Sequence, residues 1–482
     1  MNDSGPRRTR QKGAARPSGI PQALIDFMQQ GWAQQEQLNE PEHEAARNFA
    51  SRRARVGRRF PGKTLVIPTG TLKVRAKDCD YRFRPGSDFF WLTGSGDPDG
   101  VLVLRPTRTG HTATMYVMPR SDRSSERFFT DTHYGELWVG ARRGLLENAH
   151  RYHIKTAPLT ALKADLAQAA AGSVVMVRGI DPAVEALVPP SAADAELARC
   201  IGEFRLVKDA FEISMLEKAI ASTVKGFEDV VRALPAAVRK GERYVEGVFN
   251  LRARVEGNDV GYDTIAAAGA HATTLHWTRN DGPVRRRELL LLDAGVESTE
   301  LYTADVTRTI PVSGKFSPAQ REVYELVLAA QQAGIAAVKP GVPFRAPHDA
   351  AVAVLVEGLQ RMGILPDPAA ALDPANMFWR RYMPHGTSHM LGLDVHDCAN
   401  ARNEAYVGPL RPGYVLTVEP GLYFKPDDLT VPAKYRGIGI RIEDDVLVTP
   451  TGNRVLSAAL PTSPADIEKW MGKLSRRAHT LS

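Results

Sequence analysis

The chain is 482 residues long, 43% hydrophobic and 24% charged, the balance of a soluble globular protein with more than one core. Its net charge of +7 is concentrated: residues 1–60 hold eleven Lys and Arg against six Asp and Glu, a surplus of five that leaves two for all the rest. This distribution argues for a solvated basic tail over a nucleic-acid-binding or membrane-binding surface. No apolar run approaches the ~20 residues that a bilayer span needs. The three scattered cysteines, Cys79, Cys200 and Cys398, fit a reducing, cytoplasmic setting.

In chain order, residues 1–45 read as a basic extension, its Pro/Gly/Arg-rich start disordered and lacking the apolar core of a secretory signal. Helices are predicted over Gln22–Gln35 and over the basic stretch Glu42–Arg59, stopped by Pro61-Gly62. Strands are predicted at Thr64–Pro68, Phe89–Leu92, Val101–Leu104 and Thr114–Val117. A helix over Leu159–Ala171, closed by Gly172, and a strand at Val174–Val177 complete an α/β domain over 46–200. Asp209 and Glu212 have capping-box spacing and open a helix with Ile213, Leu216, Ile220, Val224, Phe227, Val231 and Leu234 on one face. A second helix runs over Tyr244–Glu256 to Gly257, and a strand over Asp259–Ala268 follows. Ser317, Pro318 and Gln320 start a long helix that ends at Lys339-Pro-Gly341. Pro347–Met362 is another helix, and Pro366–Arg381 a surface loop. A second domain is placed at 201–465 and a tail at 466–482.

The chemistry-bearing residues gather in this second domain. Met383–Cys398 holds His385, His389 and His396 together with Asp394 and Asp397, a quarter of the chain's twelve histidines in one short segment. Carboxylates punctuate apolar strands on both sides: Asp293 after Leu289–Leu292, Asp305 within Thr303–Ile310, Glu419 after Tyr414–Val418, and Glu443 in an alternating run from Gly437 to Val448. That alternation puts Ile438, Ile440 and Ile442 on one face and Gly439, Arg441 and Glu443 on the other. A charge ending a buried strand requires neutralisation. Four carboxylates with one imidazole are the ligand stock of a two-metal centre, whose two divalent ions would cancel the charge. Oxygen-rich ligands favour manganese, cobalt or iron over a thiolate-type zinc site.

These segments, LLLLDAG, ADVTRTIPVSGKFSPAQREVYELV, HGTSHMLGLDVHD, LTVEPGLY and YRGIGIRIEDDVLV, together with DYRFRPGSDFFWLTGSGDPDGVLVL near the start, resemble the Xaa-Pro aminopeptidases (aminopeptidase P) and their prolidase relatives in peptidase family M24. The likeness runs over about residues 46–460 in the family's order. It implies an α+β fold: a pita-bread (creatinase/aminopeptidase) catalytic domain, its sheet curved round the metals with helices outside, preceded by an α/β ribonuclease H-like domain. It also implies two divalent ions, manganese first and cobalt, iron or zinc as alternatives. Asp293 and Asp305 would hold one ion, His389 and Glu419 the other, with Asp305 and Glu443 bridging.

The reaction implied is hydrolysis before proline in the second position of a peptide, by a hydroxide between the metals, with Glu443 taking its proton. His396 is the candidate donor to the developing oxyanion, and His385 and His276 match the family's other active-site histidines. His276 also suits a structural role. Arg441 suits either a partner for a metal-bound carboxylate or a plain ion pair. Tyr262 matches a family tyrosine near the metals, and Trp91 and Tyr423 are candidates for the substrate pocket, with ordinary core packing open for all three. Prolidase activity on dipeptides is the alternative; a metal-free pita-bread binding protein and a creatinase-like hydrolase are more remote. A homo-oligomer, dimer or tetramer, is also implied.

Overall fold

A computed structural model of the chain describes residues 19–33, 39–169, 173–398 and 408–479, with side chains to residue 476. The basic start of the tail and Gly172 lie outside the described residues. The chain divides into two units, Met1–Leu197 and Ala198–Ser482, the division falling inside a helix, Asp194–Leu206. No helix among the described residues is long and apolar enough to cross a membrane.

The first unit is built on a mixed five-stranded sheet ordered Lys155–Pro158, His111–Val117, Val101–Pro106, Thr64–Pro68, Val174–Met176. The three central strands pair antiparallel and both outer strands parallel. Val66, Val101, Val103, Tyr116 and Met176 form its core with Leu162 and Leu166. The basic helix is Ala46–Arg59, and its charge has a local use. Arg52 and Arg53, each 5% exposed, donate to the carbonyls of Trp91 and Leu92 at 3.1 and 2.8 Å. These carbonyls sit at the end of a helix, Ser87–Thr93, where no intrahelical donor remains.

That helix corrects the strand expected at Phe89–Leu92. Phe89, Phe90, Trp91, Leu92 and Thr93 are all buried, so the segment is apolar all round and carries neither helical nor strand periodicity. Gly94 ends it at φ +73°, where a Cβ would lie 2.3 Å from the Phe49 ring. Two further expectations shorten. The first helix is Gln22–Met28, and Leu159–Ala171 becomes a 3₁₀ turn, Leu159–Ala161, followed by a helix, Leu162–Leu166.

The second unit contains two helix pairs, Ala210–Lys240 with Glu242–Glu256 and Pro318–Ala337 with Ala346–Arg361, each followed by strands. Both long helices open on the capping boxes read from sequence, Asp209/Glu212 and Ser317/Gln320. The first pair precedes an antiparallel three-stranded sheet, Val306–Pro311, Leu289–Ala294, Ile265–Ala268. The second precedes Val415–Val418, Asp444–Thr449 and Gly452–Val455. The two sheets meet along the Val306–Pro311 strand, where Glu443 N–H donates to Thr307 C=O at 3.1 Å. Phe227, Val231, Leu290, Leu292, Ile310, Val327, Leu355, Ile440 and Ile442 belong to one continuous core beneath.

Three local expectations change here. Asp259–Ala268 is two strands, Asp259–Val260 and Ile265–Ala268. Pro366–Arg381 is not a plain loop: Asp367 caps a helix, Pro368–Leu372, and a 3₁₀ turn covers Phe378–Arg381. The Gly437–Val448 run is two strands, Gly439–Arg441 and Asp444–Thr449, broken opposite Glu419-Pro420. Proline has no N–H for the ladder. The two breaks therefore coincide, and they fall at the two carboxylates Glu419 and Glu443.

Candidate metal centre

Each ligand candidate is placed by a strand or by a segment bonded to one. Asp293 is the penultimate residue of the Leu289–Ala294 strand, opposite Thr307, and Asp305 immediately precedes the neighbouring strand. His389 lies in an extended segment beside Val415–Val418: Thr417 N–H donates to His389 C=O at 3.0 Å, and Glu419 N–H to Thr387 C=O at 2.8 Å. This pairing brings the histidine from a remote part of the sequence to within 3.6 Å of Glu419 and 3.2 Å of Asp305. Asp305, His389 and Glu443 each present one ligand atom within 4.8 Å of the others.

Asp293 and Glu419 flank that trio. Tyr262 Oη donates to Asp293 Oδ1 at 2.6 Å and lies 2.5 Å from Asp305 Oδ1, so one hydroxyl bridges the two aspartates. Arg441 donates to Asp293 Oδ2, to Tyr423 Oη at 3.0 Å and to Thr307 Oγ1 at 3.1 Å. Thr307 Oγ1 in turn donates to Glu443 Oε2 at 2.7 Å. Asp445 Oδ2 receives the Asp305 backbone N–H at 3.2 Å, while its buried Oδ1 has no hydrogen-bond partner.

Burial dominates the electrostatics. It pushes the Glu419 carboxyl up to about 7, against the pull of His389 and Arg441. Glu443 is driven well above the usual carboxyl range by burial, with Asp305, Glu419 and Asp293 adding to it. Asp293 is raised by burial despite Arg441, and Asp445 is raised by burial and by Asp305. Burial by itself would lower His389, but its bond to Asp305 and the charge of Glu419 outweigh that and bring it to about 9. The pocket thus holds several acids, Asp293, Glu419, Glu443 and Asp445, whose ionisation burial disfavours, beside an imidazole that keeps its proton. Divalent cations would replace those protons and supply the missing positive charge. Oxygen donors with one imidazole fit such ions.

The other histidines stand round this set. His385 Nε2 lies 2.8 Å from Tyr423 Oη and its Nδ1 2.8 Å from Gly386 C=O. Burial, then Arg441, lowers it to about 3, so it is neutral. His396 packs edge-on to His389 with centroids 4.3 Å apart, and burial followed by the His389 charge lowers its pKa. His276 is exposed in a turn, within electrostatic reach of both His385 and His396.

Of the sequence candidates, Asp293, Asp305, His389, Glu419, Glu443, Arg441, Tyr262, Tyr423, His385 and His396 are linked by these contacts. Trp91 is a buried side chain of the first unit, its ring against the Arg52 guanidinium. The aspartates of the histidine run do not join the ligand set. Arg205 pairs with Asp394 and Asp397, and Lys208 with Asp397 at 2.9 Å. Sequence reasoning passed over Thr307, Asp445 and His348. Thr307 lies two residues after Asp305, on the same face of the strand, a signal that was legible. Asp445 sits in the acidic run with Glu443, whereas Asp444 is committed to the buried Arg308 at 2.7 Å. His348 lies on the Ala346–Arg361 helix, 2.9 Å from Thr387 Oγ1, and no local pattern marked it.

Comparison with known proteins adds independent findings. Residues 214–450 match "Metallopeptidase family M24", and residues 49–177 match "Aminopeptidase P, N-terminal domain". The chain is similar to Xaa-Pro aminopeptidase 1 of Streptomyces coelicolor, 53% identical over 461 residues, which cover 95% of this chain and 93% of that protein. It is 33% identical to the Xaa-Pro aminopeptidase of Escherichia coli over 87% of this chain and 96% of that one. Among solved structures, E. coli aminopeptidase P with the inhibitor Pro-Leu superposes with a TM-score of 0.80 at 31% identity, covering 90% of this chain and 100% of that one. A zinc-substituted form of the same enzyme, in complex with product, gives the same score. Fold and sequence likeness agree, and the chain belongs to the Xaa-Pro aminopeptidases, metal-dependent peptidases of family M24 with an aminopeptidase P N-terminal domain.

Proposed function

We propose that this chain releases the N-terminal residue from peptides with proline in the second position. The observation that carries the reading is the convergence of Asp293, Asp305, His389, Glu419 and Glu443 from five separate stretches of sequence into one largely buried group. Two divalent ions, manganese first, would be held by these five residues, Asp305 and Glu443 shared between them, and would supply Lewis acidity for the scissile carbonyl and a lowered pKa for water.

The chain's own groups supply the rest. Glu443, oriented by Thr307, accepts the proton of the attacking water and returns it to the departing proline nitrogen, which leaves as an amine. Neutral His396 offers an N–H to the carbonyl oxygen as negative charge grows there. His385, fixed by Tyr423, and His276 orient the substrate from the leaving-group side. Arg441 holds Asp293 and Tyr423 in register and stays cationic, so that one fixed positive charge remains beside the acids. A proline amide carries no N–H, and a site of this kind recognises it without one.

The N-terminal domain match and the names of the relatives support peptide substrates over dipeptides. A cytoplasmic location and a dimer or tetramer belong to the same reading. Metal analysis combined with assays on an Xaa-Pro tripeptide and an Xaa-Pro dipeptide tests it. Turnover of the tripeptide with bound divalent metal is expected; activity on the dipeptide alone, or full activity without metal, would overturn it.

A further inference from the structure

The segment that carries His276, residues 268–282, has little regular structure of its own, yet it is tied to one side chain from the helical layer. Glu242, the first residue of the Glu242–Glu256 helix, is 0% exposed. Its Oε1 receives Ala268 N–H at 2.8 Å and lies 2.8 Å from His271 Nδ1. Its Oε2 receives the Trp277 indole N–H at 2.8 Å and Gly282 N–H at 2.7 Å. Glu242 N–H donates back to Gly282 C=O at 3.0 Å. Three of these groups are obligate donors, so only an acceptor-only carboxylate satisfies the set.

The surroundings fit this hub and little else. At Gly282 a Cβ would lie 2.2 Å from the His271 ring and 2.9 Å from Glu242 Oε2. His271 stacks on Trp277 with centroids 3.9 Å apart. Trp277 and Leu275, the two neighbours of His276, pack on the cluster that contains Tyr423 and Leu291. The Glu242 bonds therefore fall on both sides of His276 in sequence, and one of them falls on the adjacent residue.

We infer that Glu242 is a positioning residue for catalysis: it fixes the loop that aims His276 at the substrate. Its side chain bonds Ala268, His271, Trp277 and Gly282, none of them a metal-ligand candidate, and it acts through Trp277 and Gly282. The inference rests on the reading above in which His276 contacts the substrate. Asn280, fully buried, bonds Ala266 N–H and Thr264 C=O and holds the far end of the loop, so loss of Glu242 should misplace His276 without unfolding the unit.

The test is a double-mutant cycle on the full-length, metal-loaded enzyme with an Xaa-Pro tripeptide. His276→Ala alone checks the underlying reading: an unchanged kcat/KM removes His276 from the site, and the inference falls with it. Where His276→Ala does lose activity, Glu242→Gln is expected to lower kcat/KM on the order of 10- to 100-fold, with metal content unchanged. It should add less than about twofold in the His276→Ala background and its full factor in a His396→Ala background. Wild-type turnover of Glu242→Gln, or equal losses in both backgrounds, overturns the inference. If Glu242→Gln does not fold, Trp277→Phe removes one donor while keeping an aromatic ring, and the same cycle is read with a smaller loss.

Discussion

Replacing Thr307 by valine removes one hydroxyl and keeps the side-chain shape, at the point where Glu443, the proposed general base, and Arg441 meet. Thr307, Glu443 and Arg441 are 0%, 1% and 3% exposed, so water cannot substitute for the hydroxyl. Two bonds are lost, to Glu443 at 2.7 Å and from Arg441 at 3.1 Å. Bonds to charged groups contribute about 1.5–3 kcal/mol each, and the added methyl recovers under ~1 kcal/mol of apolar burial. The metal-loaded protein should therefore lose about 2–5 kcal/mol. Without metal, burial and the neighbouring acids push the Glu443 carboxyl well above the usual carboxyl range and favour its neutral form. The bond is then to a neutral carboxyl, and the loss should shrink by about 1 kcal/mol. Turnover should fall on the order of 10-fold or more, because Glu443 loses its orienting donor. Urea unfolding of loaded and chelated protein, with kcat on an Xaa-Pro tripeptide, measures both effects, and Thr307→Ser should restore them. A valine variant with wild-type stability and kcat would refute the assignment of Thr307 and weaken that of Glu443.

His389→Ala and Glu419→Ala should each abolish turnover while leaving the circular dichroism spectrum intact; full turnover in either would remove the second metal position. The chelated protein should lose stability as pH rises. The folded pKa of Glu419, about 7, lies above its unfolded value, so its contribution is lost between about 4.5 and 7; that of His389, about 9, is lost between about 6.5 and 9. The stabilisation gained on adding manganese should grow over the same range, and a flat profile in thermal melts would contradict the buried-acid description. Asp397→Asn breaks a buried pair with Lys208 and Arg205 at the base of the histidine segment, and should cost about 3–5 kcal/mol in urea unfolding; a cost near zero would show that the pair is dispensable.

Much of this protein is written locally. The capping boxes at Asp209 and Ser317 mark helix starts because the bonds involved span three residues. The strand bearing Asp293 is legible because four consecutive leucines read as a buried run ending in a charge. The ligand types were legible for the same reason: a carboxylate at the end of an apolar strand is costly unless something neutralises it.

What the chain does not write locally is which distant groups meet. The Phe89–Leu92 segment has no periodicity to separate helix from strand, since a strand covered on both faces would be equally apolar, and only the folded chain shows it as a helix. The paired breaks at Glu419-Pro420 and Ile442-Glu443 become intelligible only once the two strands lie side by side. The sharing of Tyr262 between two aspartates, the Thr307 link from Arg441 to Glu443, and the Glu242 anchorage of the His276 loop each join residues from separate elements. Residue type and spacing determine which groups are costly to bury alone; only tertiary packing, which excludes water and sets distances between remote segments, determines which partners relieve that cost.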